Sequence, residues 1–313
     1  LDYQPEELVI TACAGTPIAE IEAALSEKNQ MLPFEPPHFG QTATFGGVIA
    51  AGLAGPARIS TGNLRDFVLG TRLMDGRGED LSFGGKVMKN VAGYDVSRLL
   101  PGSLGTLALL LEASVKVLPK PAATASLRCT ITQDRALRIL NEWAGQPLPL
   151  NASAWIGKTN EEGQLTVRLA GANAAVATAS KMMVAELSAT LMDFTDAVTF
   201  WNELREQAHV WFKELAPGNA LWRLSLPAHC PSIPMPIGFN PTSIMEWHGQ
   251  QRWFQGPANQ SISNTLIALA QEHGGHASCF RNNGSEQFER FTSLQSNPLT
   301  AGLELVQKRL RHS

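Results

Sequence analysis

Cysteine is sparse: Cys13, Cys129, Cys230 and Cys279 stand singly along 313 residues. There is no C-x-x-C pair and no histidine at metal spacing beside any of them, so neither structural zinc nor an iron–sulfur cluster within the chain has support. A reducing, cytoplasmic setting fits this usage. Charge is modest too, with 17% Asp, Glu, Lys and Arg and a formal net charge of -3. No basic stripe with interleaved aromatics offers itself to nucleic acid. No apolar run approaches the roughly 20 residues that span a bilayer, and the first residues do not read as a signal peptide. Repeats of fixed period and low-complexity tracts are absent as well.

What is present is a globular composition, 44% hydrophobic, in a chain long enough for two domains. It opens in mid-phrase at Leu1 rather than Met, and ends in a helix-like pattern, so the expectation is of missing ends. An apolar run from Leu8 to Ala12 is closed by Gly15 and Pro17 and predicts a strand and turn. In "PIAEIEAALSEKN", Ile18, Ile21, Ala24 and Leu25 share a helical face, with Thr16 as the expected cap. "DFVLGTRLMDGRGEDLSFGG" predicts a hairpin turning at Asp75-Gly76. Leu107 to Leu111 reads as a buried strand. The prolines at Pro119 and Pro121 mark the best domain boundary, since six of seven tryptophans lie beyond residue 150. Farther on, strands are expected at 127–131, 165–170 and 221–226, and helices at 175–189, 200–215, 261–272 and 302–310. Phe200, Leu204, Ala208, Trp211 and Leu215 form a helical stripe that reads as core packing.

Small residues concentrate in "TATFGGVIAAGLAGP", Thr42 to Pro56, a segment too rich in glycine and proline for regular structure until about Val48. Neither the G-x-x-x-x-G-K-[ST] loop nor G-x-G-x-x-G between strand and helix occurs here. Bare backbone N–H groups can still cradle a phosphate as a nest. The competing reading is tight packing through Gly46, Ala50 and Gly55. A second small-residue stretch carries Gly93, Gly102 and Gly105 just before a strand. Two such loops at the edges of one sheet suggest a long, flat, phosphate-bearing ligand.

The phrases "PPHFGQTATFGGVIAAGLAGP", "STGNLRDFVLGTRLMDGRGE" and "VMKNVAGYD" followed by "GSLGTL" closely resemble the vanillyl-alcohol-oxidase-type (PCMH-type) FAD-binding family. Within it, the chain looks most like FAD-binding subunits of bacterial glycolate-oxidising complexes, and the likeness runs on through "RWFQG" and "HGGHASCFR". The resemblance implies an α+β fold: a PCMH-type FAD-binding domain at 1–120, N-terminally truncated so that its first phosphate-binding loop is lacking, an α+β cap domain at 121–298, and a helix at 299–313 returning to the first domain. Carried over by position, Thr42, Thr44, Gly46, Gly47, Gly52 and Gly62 line the pyrophosphate and ribose of FAD. Gly102, Ser103, Gly105 and Thr106 run past the isoalloxazine. The chain departs from many relatives at Val48 and Gly52, which replace asparagines, and at Ala108, which replaces glycine.

Oxidising a 2-hydroxy acid needs a cation for the carboxylate, a base for the hydroxyl proton and an acceptor for hydride. The cation candidates are Arg65, Arg98 and Arg281; the base candidates are His276 and His248. His276 and Arg281, in "EHGGHASCFR", are the pair selected, while Tyr94, Asp95 and Lys89 adjoin the second loop. The cap lacks the "GDGNxH"-like motif of independent hydroxy-acid oxidisers. The resemblance therefore implies an FAD-bearing subunit that works with a related FAD-binding catalytic subunit and an iron–sulfur subunit, meeting the bacterial membrane only through partners. A non-catalytic assembly subunit with a degenerate flavin site is the alternative.

Overall fold

A computed structural model describes residues 1–85 and 95–284 of the chain. The expected helix at 302–310, the returning segment 299–313, Gly93, Tyr94 and Lys89 lie outside the described residues. The chain separates into two units, one holding residues 1–120 and one beginning at Pro121.

The first unit runs β1 (Asp2–Gln4), β2 (Val9–Cys13), α1 (Ile18–Glu27), β3 (Gln30–Met31), α2 (Phe45–Ala51), α3 (Arg58–Thr61), α4 (Leu64–Phe67), β4 (Val68–Met74), β5 (Asp80–Gly84), β6 (Leu109–Lys116) and β7 (Leu118–Pro119). Five strands form an antiparallel sheet ordered β1-β2-β6-β4-β5, and β3 pairs with β7. Strand alternation sends Ile10 and Ala12 of β2 and Ala113 and Val115 of β6 to one face. There they meet Ile18, Ile21 and Leu25 of α1 and Phe45 and Ile49 of α2 in one core.

The helical face of α1 is as its spacing predicts, but its cap is not. Pro17, which has no side-chain acceptor, holds the N-cap position, so no side chain caps the helix, and the Thr16 carbonyl accepts from the amide of Phe45. The glycine-rich segment is regular earlier than expected: α2 starts at Phe45, with Thr44 as N-cap accepting from the Gly47 amide. The hairpin turning at Asp75-Gly76 is β4–β5. The apolar run from Leu107 is not a buried strand at its start. β6 begins at Leu109, opposite Met74 at the sheet's end, and both side chains are exposed.

The second unit runs β8 (Ala123–Thr132), α5 (Gln133–Ala144), β9 (Leu150–Lys158), β10 (Glu162–Gly171), α6 (Asn173–Leu187), β11 (Thr190–Leu191), α7 (Phe194–Arg205), α8 (Val210–Lys213), β12 (Asn219–Ser225), β13 (Thr242–Glu246), β14 (Gln251–Pro257), α9 (Gln260–Glu272) and β15 (His276–Asn282). Its eight-stranded antiparallel sheet has the order β11-β8-β10-β9-β13-β14-β12-β15. One face packs on α5 and α6 through Trp143, Trp155 and Met183, and on α9 through Trp222, Phe254 and Leu266. The opposite face packs on α7 and α8 through Trp201, Leu204, Trp211 and Phe212. The single helix expected over 200–215 is therefore two. It breaks after Arg205, and Gln207 takes a left-handed φ of 49°. The stripe still serves the core, with Leu204 and Trp211 buried in it and Phe200 and Leu215 packed against it.

Candidate functional site

In the first unit the two small-residue loops meet at α2. The amide of Gly102 donates to Ile49, and that of Leu104 to Ala50, at 3.1 and 2.8 Å. Gly52 ends the helix in a left-handed conformation, where an added Cβ would stand 2.5 Å from the Gly102 nitrogen. Gly102, Ser103, Gly105 and Thr106 are thereby held at the C-terminal end of α2, while Thr42, Thr44 and Gly47 lie at its N-terminal end, about 10 Å away along a seven-residue helix. Gly62 closes α3 beside Asp66, and no contact places it with the others.

These glycines divide by what surrounds them. Gly46 is pressed against Ala14, with 2.6 Å between a notional Cβ and the Ala14 Cβ, and Gly55 against the Glu35 carbonyl. Gly46 and Gly52 thus bring parts of the chain's own backbone together. The amides of Phe45, Gly46 and Gly47 are also engaged, with Thr16, Ala14 and the Thr44 hydroxyl respectively. Gly15, Gly40, Gly102 and Gly105 instead face open space. Phe39, Gly40, Gly102, Leu104 and Gly105 all have positive φ, with the amides of Gly102 and Leu104 spent on the end of α2. Of these only Phe39 lines a cavity of about 220 Å³, together with Pro37, Thr44, Gly47, Ala51 and Leu53.

A dinucleotide flavin needs hydroxyl and amide donors for its diphosphate and apolar surface for its rings. Thr42, Thr44 and Ser103 offer hydroxyls, Gly15, Gly40 and Gly105 bare backbone, and the cavity apolar surface, so the residues present fit the group. Phe39 and Leu104 are 52% and 58% exposed, which leaves apolar surface beside the cradle uncovered. Val48 faces the core while also lining the cavity, so no side-chain donor replaces the asparagine expected there.

The candidate cations are mostly committed. Arg98 pairs with Asp95 at 3.0 Å, and Arg65 is a solvated neighbour of Asp66. His248, in the second unit, is buried and bonded to Ser153, and burial holds its imidazole down at about 4, hence neutral near pH 7. It forms part of a hairpin turn in which Trp247, His248 and Gly249 are consecutively left-handed. That is a structural post.

His276 and Arg281 both lie on β15. A one-residue bulge between Cys279 and Arg281 puts them on the same face of the sheet, although five residues in sequence would place them on opposite faces. They are still four register positions apart, about 13 Å along the strand. Arg281 donates to the carbonyl of Phe212. Sequence reasoning missed the acid on this face. Glu246 is 5% exposed and accepts from Trp253 at 2.6 Å and Gln251 at 3.2 Å. Burial raises its carboxyl to about 7, against the pull of those two donors. An isolated glutamate in "SIMEWHGQ" carries no local signal; only the strand alternation, with Glu246 two residues from Ile244, would have placed it inward.

Among the described residues no group of histidines, cysteines and carboxylates could hold a metal, and no helix is long and apolar enough to cross a membrane. Residues 1–84 match the family model described as FAD binding domain. Over 280 residues the chain is 44% identical to glycolate oxidase subunit GlcE of Escherichia coli (strain K12), covering 90% of this chain and 73% of that protein. It is 35% identical over 127 residues to glycolate oxidase subunit GlcD of Bacillus subtilis (strain 168), covering 41% of this chain and 27% of GlcD. The match to D-lactate dehydrogenase of Archaeoglobus fulgidus is 32% over 152 residues, 48% of this chain and 34% of that one. A solved structure of alkyldihydroxyacetonephosphate synthase superposes with TM-score 0.65 at 12% identity, over 100% of this chain and 64% of that one, which speaks for the fold alone. Cradle, fold and sequence agree that this chain belongs to the FAD-linked oxidoreductase family of glycolate oxidase subunit GlcE, a family whose cofactor is FAD.

Proposed function

We propose that this chain is an FAD-bearing subunit of a multisubunit complex that oxidises a small 2-hydroxy acid, glycolate, to the 2-oxo acid. The observation that carries this reading is the apolar cavity along α2, lined by Thr44 and Gly47 in a segment matched by an FAD-binding model, with the loop of Gly102 and Gly105 held at the other end of the helix. Thr42, Thr44, Gly47 and Ser103 would hold the cofactor, with the bare backbone of Gly102 and Gly105 allowing close approach and Thr106, bonded to the Ser103 carbonyl, fixing the loop. Gly46 and Gly52 shape the backbone around it. FAD, when bound, supplies a two-electron acceptor for the hydride of the substrate's α-carbon. The hydroxyl proton must go to a base, and His276, exposed at the start of β15, is the candidate on this chain.

The second unit, from Pro121, serves as cap in this reading. Onward one-electron transfer falls to an iron–sulfur partner, and a related FAD-binding subunit shares the chemistry. The complex works in the cytoplasm, with any membrane contact made by its partners. One observation favours the alternative of a non-catalytic assembly subunit: the first three amides of α2 are consumed within the chain. The visible spectrum of the full-length protein decides between them. Flavin bands that bleach on anaerobic glycolate, alone or after partner subunits are added, support the redox subunit. Protein that purifies without flavin bands and takes up no added FAD supports the assembly role.

A further inference from the structure

The first unit's sheet carries a small polar cavity that the cofactor reading does not use. Cross-strand pairing sets Cys13 of β2 opposite Glu112 of β6, Glu112 opposite Arg72 of β4, and Arg72 opposite Ser82 of β5. Directly paired residues share a face, so these four make one row across four strands. Two residues along, the neighbouring row is Thr11, Ser114, Gly70 and Gly84. Both rows lie on the side away from α1 and α2, because Ala113 and Val115, which flank Ser114, point into the core that those helices cover.

At Gly70 the second row has no side chain, and a Cβ there would stand 2.8 Å from the Gly85 carbonyl oxygen. Glycine inside a strand marks such a close approach of backbone. Gly70 and Gly85 line a cavity of about 170 Å³ together with Arg72, Ser82, Glu112 and Ser114. Its walls are rich in acceptors and short of free cations. Arg72, although opposite Glu112, turns to Asp80, giving it Nε at 2.9 Å and Nη2 at 2.5 Å. Glu112 is half-buried and has no hydrogen bond or ion pair among the described residues, and Ser82 has no hydrogen bond either. Ser114 shares one hydrogen bond with Thr11, which leaves its oxygen a further lone pair. Arg72 thus neutralises Asp80, and the charge of Glu112 is left over. Lys116, on the same face of β6, is four residues away, about 13 Å along the strand.

We propose that this cavity binds a compact nitrogen cation, a guanidinium or a primary ammonium, on the Glu112 carboxylate, with Ser82, Ser114 and the Gly85 carbonyl accepting its remaining N–H groups. Such a cation carries donors and no acceptor, which is the complement of these walls. Its hydrogen bonds to Glu112 are charge-assisted, the stronger class. A small carboxylate is of the wrong sign for a cavity whose uncompensated group is itself a carboxylate. The site is therefore separate from the substrate chemistry proposed above and does not depend on it.

The test is saturation-transfer NMR on the full-length polypeptide, with the methyl protons of methylguanidinium and methylammonium as probes at constant ionic strength. Tetramethylammonium, which has no N–H, and sodium are the controls. The expected result is a saturable signal from at least one of the two probes, the tighter of them showing whether the cavity takes a guanidinium or an ammonium. Affinity should fall about tenfold or more in Glu112→Gln and about threefold in Ser82→Ala, the sizes expected for a charge-assisted and a neutral hydrogen bond. Cys13→Lys leaves Glu112 in place but sets a tethered ammonium opposite it, on an exposed position, and should abolish uptake. No saturable signal with either probe overturns the site, as do Glu112→Gln and Cys13→Lys that both bind like the parent. Displacement of the probe by equal concentrations of sodium or tetramethylammonium overturns it too, because that is screening of a surface charge. Cation binding by a protein without flavin bands would retain this site while sinking the redox reading; flavin bands without cation binding would do the reverse.

Discussion

At the scale of single residues, Glu246 and His248 are buried titratable groups of the second unit whose charges the fold resists. Among the described residues Glu246 meets the Trp253 and Gln251 donors and no cation, and its carboxyl rises from 4.5 to about 7 through burial. A group raised in the folded state gives its full stability below the unfolded value and loses it as pH climbs to the folded one. For Glu246 the loss runs from pH 4.5 to about 7 and is on the order of 3 kcal/mol. His248 is the opposite case, lowered from 6.5 to about 4 by burial, so its contribution is complete above pH 6.5 and lost as pH falls to about 4. Between pH 4.5 and 6.5 the two slopes oppose each other. Glu246→Gln keeps an oxygen that Trp253 can bond and removes the ionisation. Urea unfolding midpoints of that variant should rise relative to the parent from pH 4.5 to 7, exposing the His248 slope. Parallel midpoint-versus-pH curves for the two proteins would rule out a raised Glu246.

At the scale of elements, α2 shows which glycines build the fold and which leave room. Gly52 has φ 62° and its Cβ would meet the Gly102 backbone, so Gly52→Ala carries both a left-handed penalty and a clash, about 2–4 kcal/mol together. Gly105 has φ 72° but open space, so Gly105→Ala costs only the left-handed term, about 1 kcal/mol. Chemical denaturation should rank the two in that order, while flavin content should fall in Gly105→Ala out of proportion to its stability. Equal losses of stability at the two positions would contradict the division. Periodicity made α1 legible because Ile18, Ile21 and Leu25 are apolar on one face and little else is. It missed α5 (Gln133–Ala144), although Thr132 caps it, and it fused α7 with α8. The stripe continues in register across the break, and composition contains no sign that Gln207 turns left-handed. Of the candidate site, the loops were legible as small-residue strings. That Gly46 serves Ala14 rather than a ligand follows only from which backbone arrives beside it, and His276 and Arg281 share a face only because of a bulge.

At the scale of the molecule, each unit holds cores of its own. Residues 1–120 close around Ile10, Ile21, Phe45 and Val115, whereas the tryptophan-rich cores all draw on residues beyond Pro121. The change in composition after the Pro119 and Pro121 pair reflects this, since a wide sheet covered on both faces needs large side chains to fill the space between layers. Separate cores predict separate melting transitions, and linkage predicts which one responds to cofactor. A ligand at 100 times its Kd adds about 2.7 kcal/mol to the structure that binds it, worth several degrees or more for a unit of this size. Calorimetric scans of the full-length protein with and without added FAD should therefore raise a transition belonging to the first unit. Gly52→Ala identifies it by lowering that transition in the absence of FAD. Should FAD lift only the transition that Gly52→Ala leaves alone, the cofactor would have to be held by residues beyond Pro121, and the α2 cradle would be packing and nothing more.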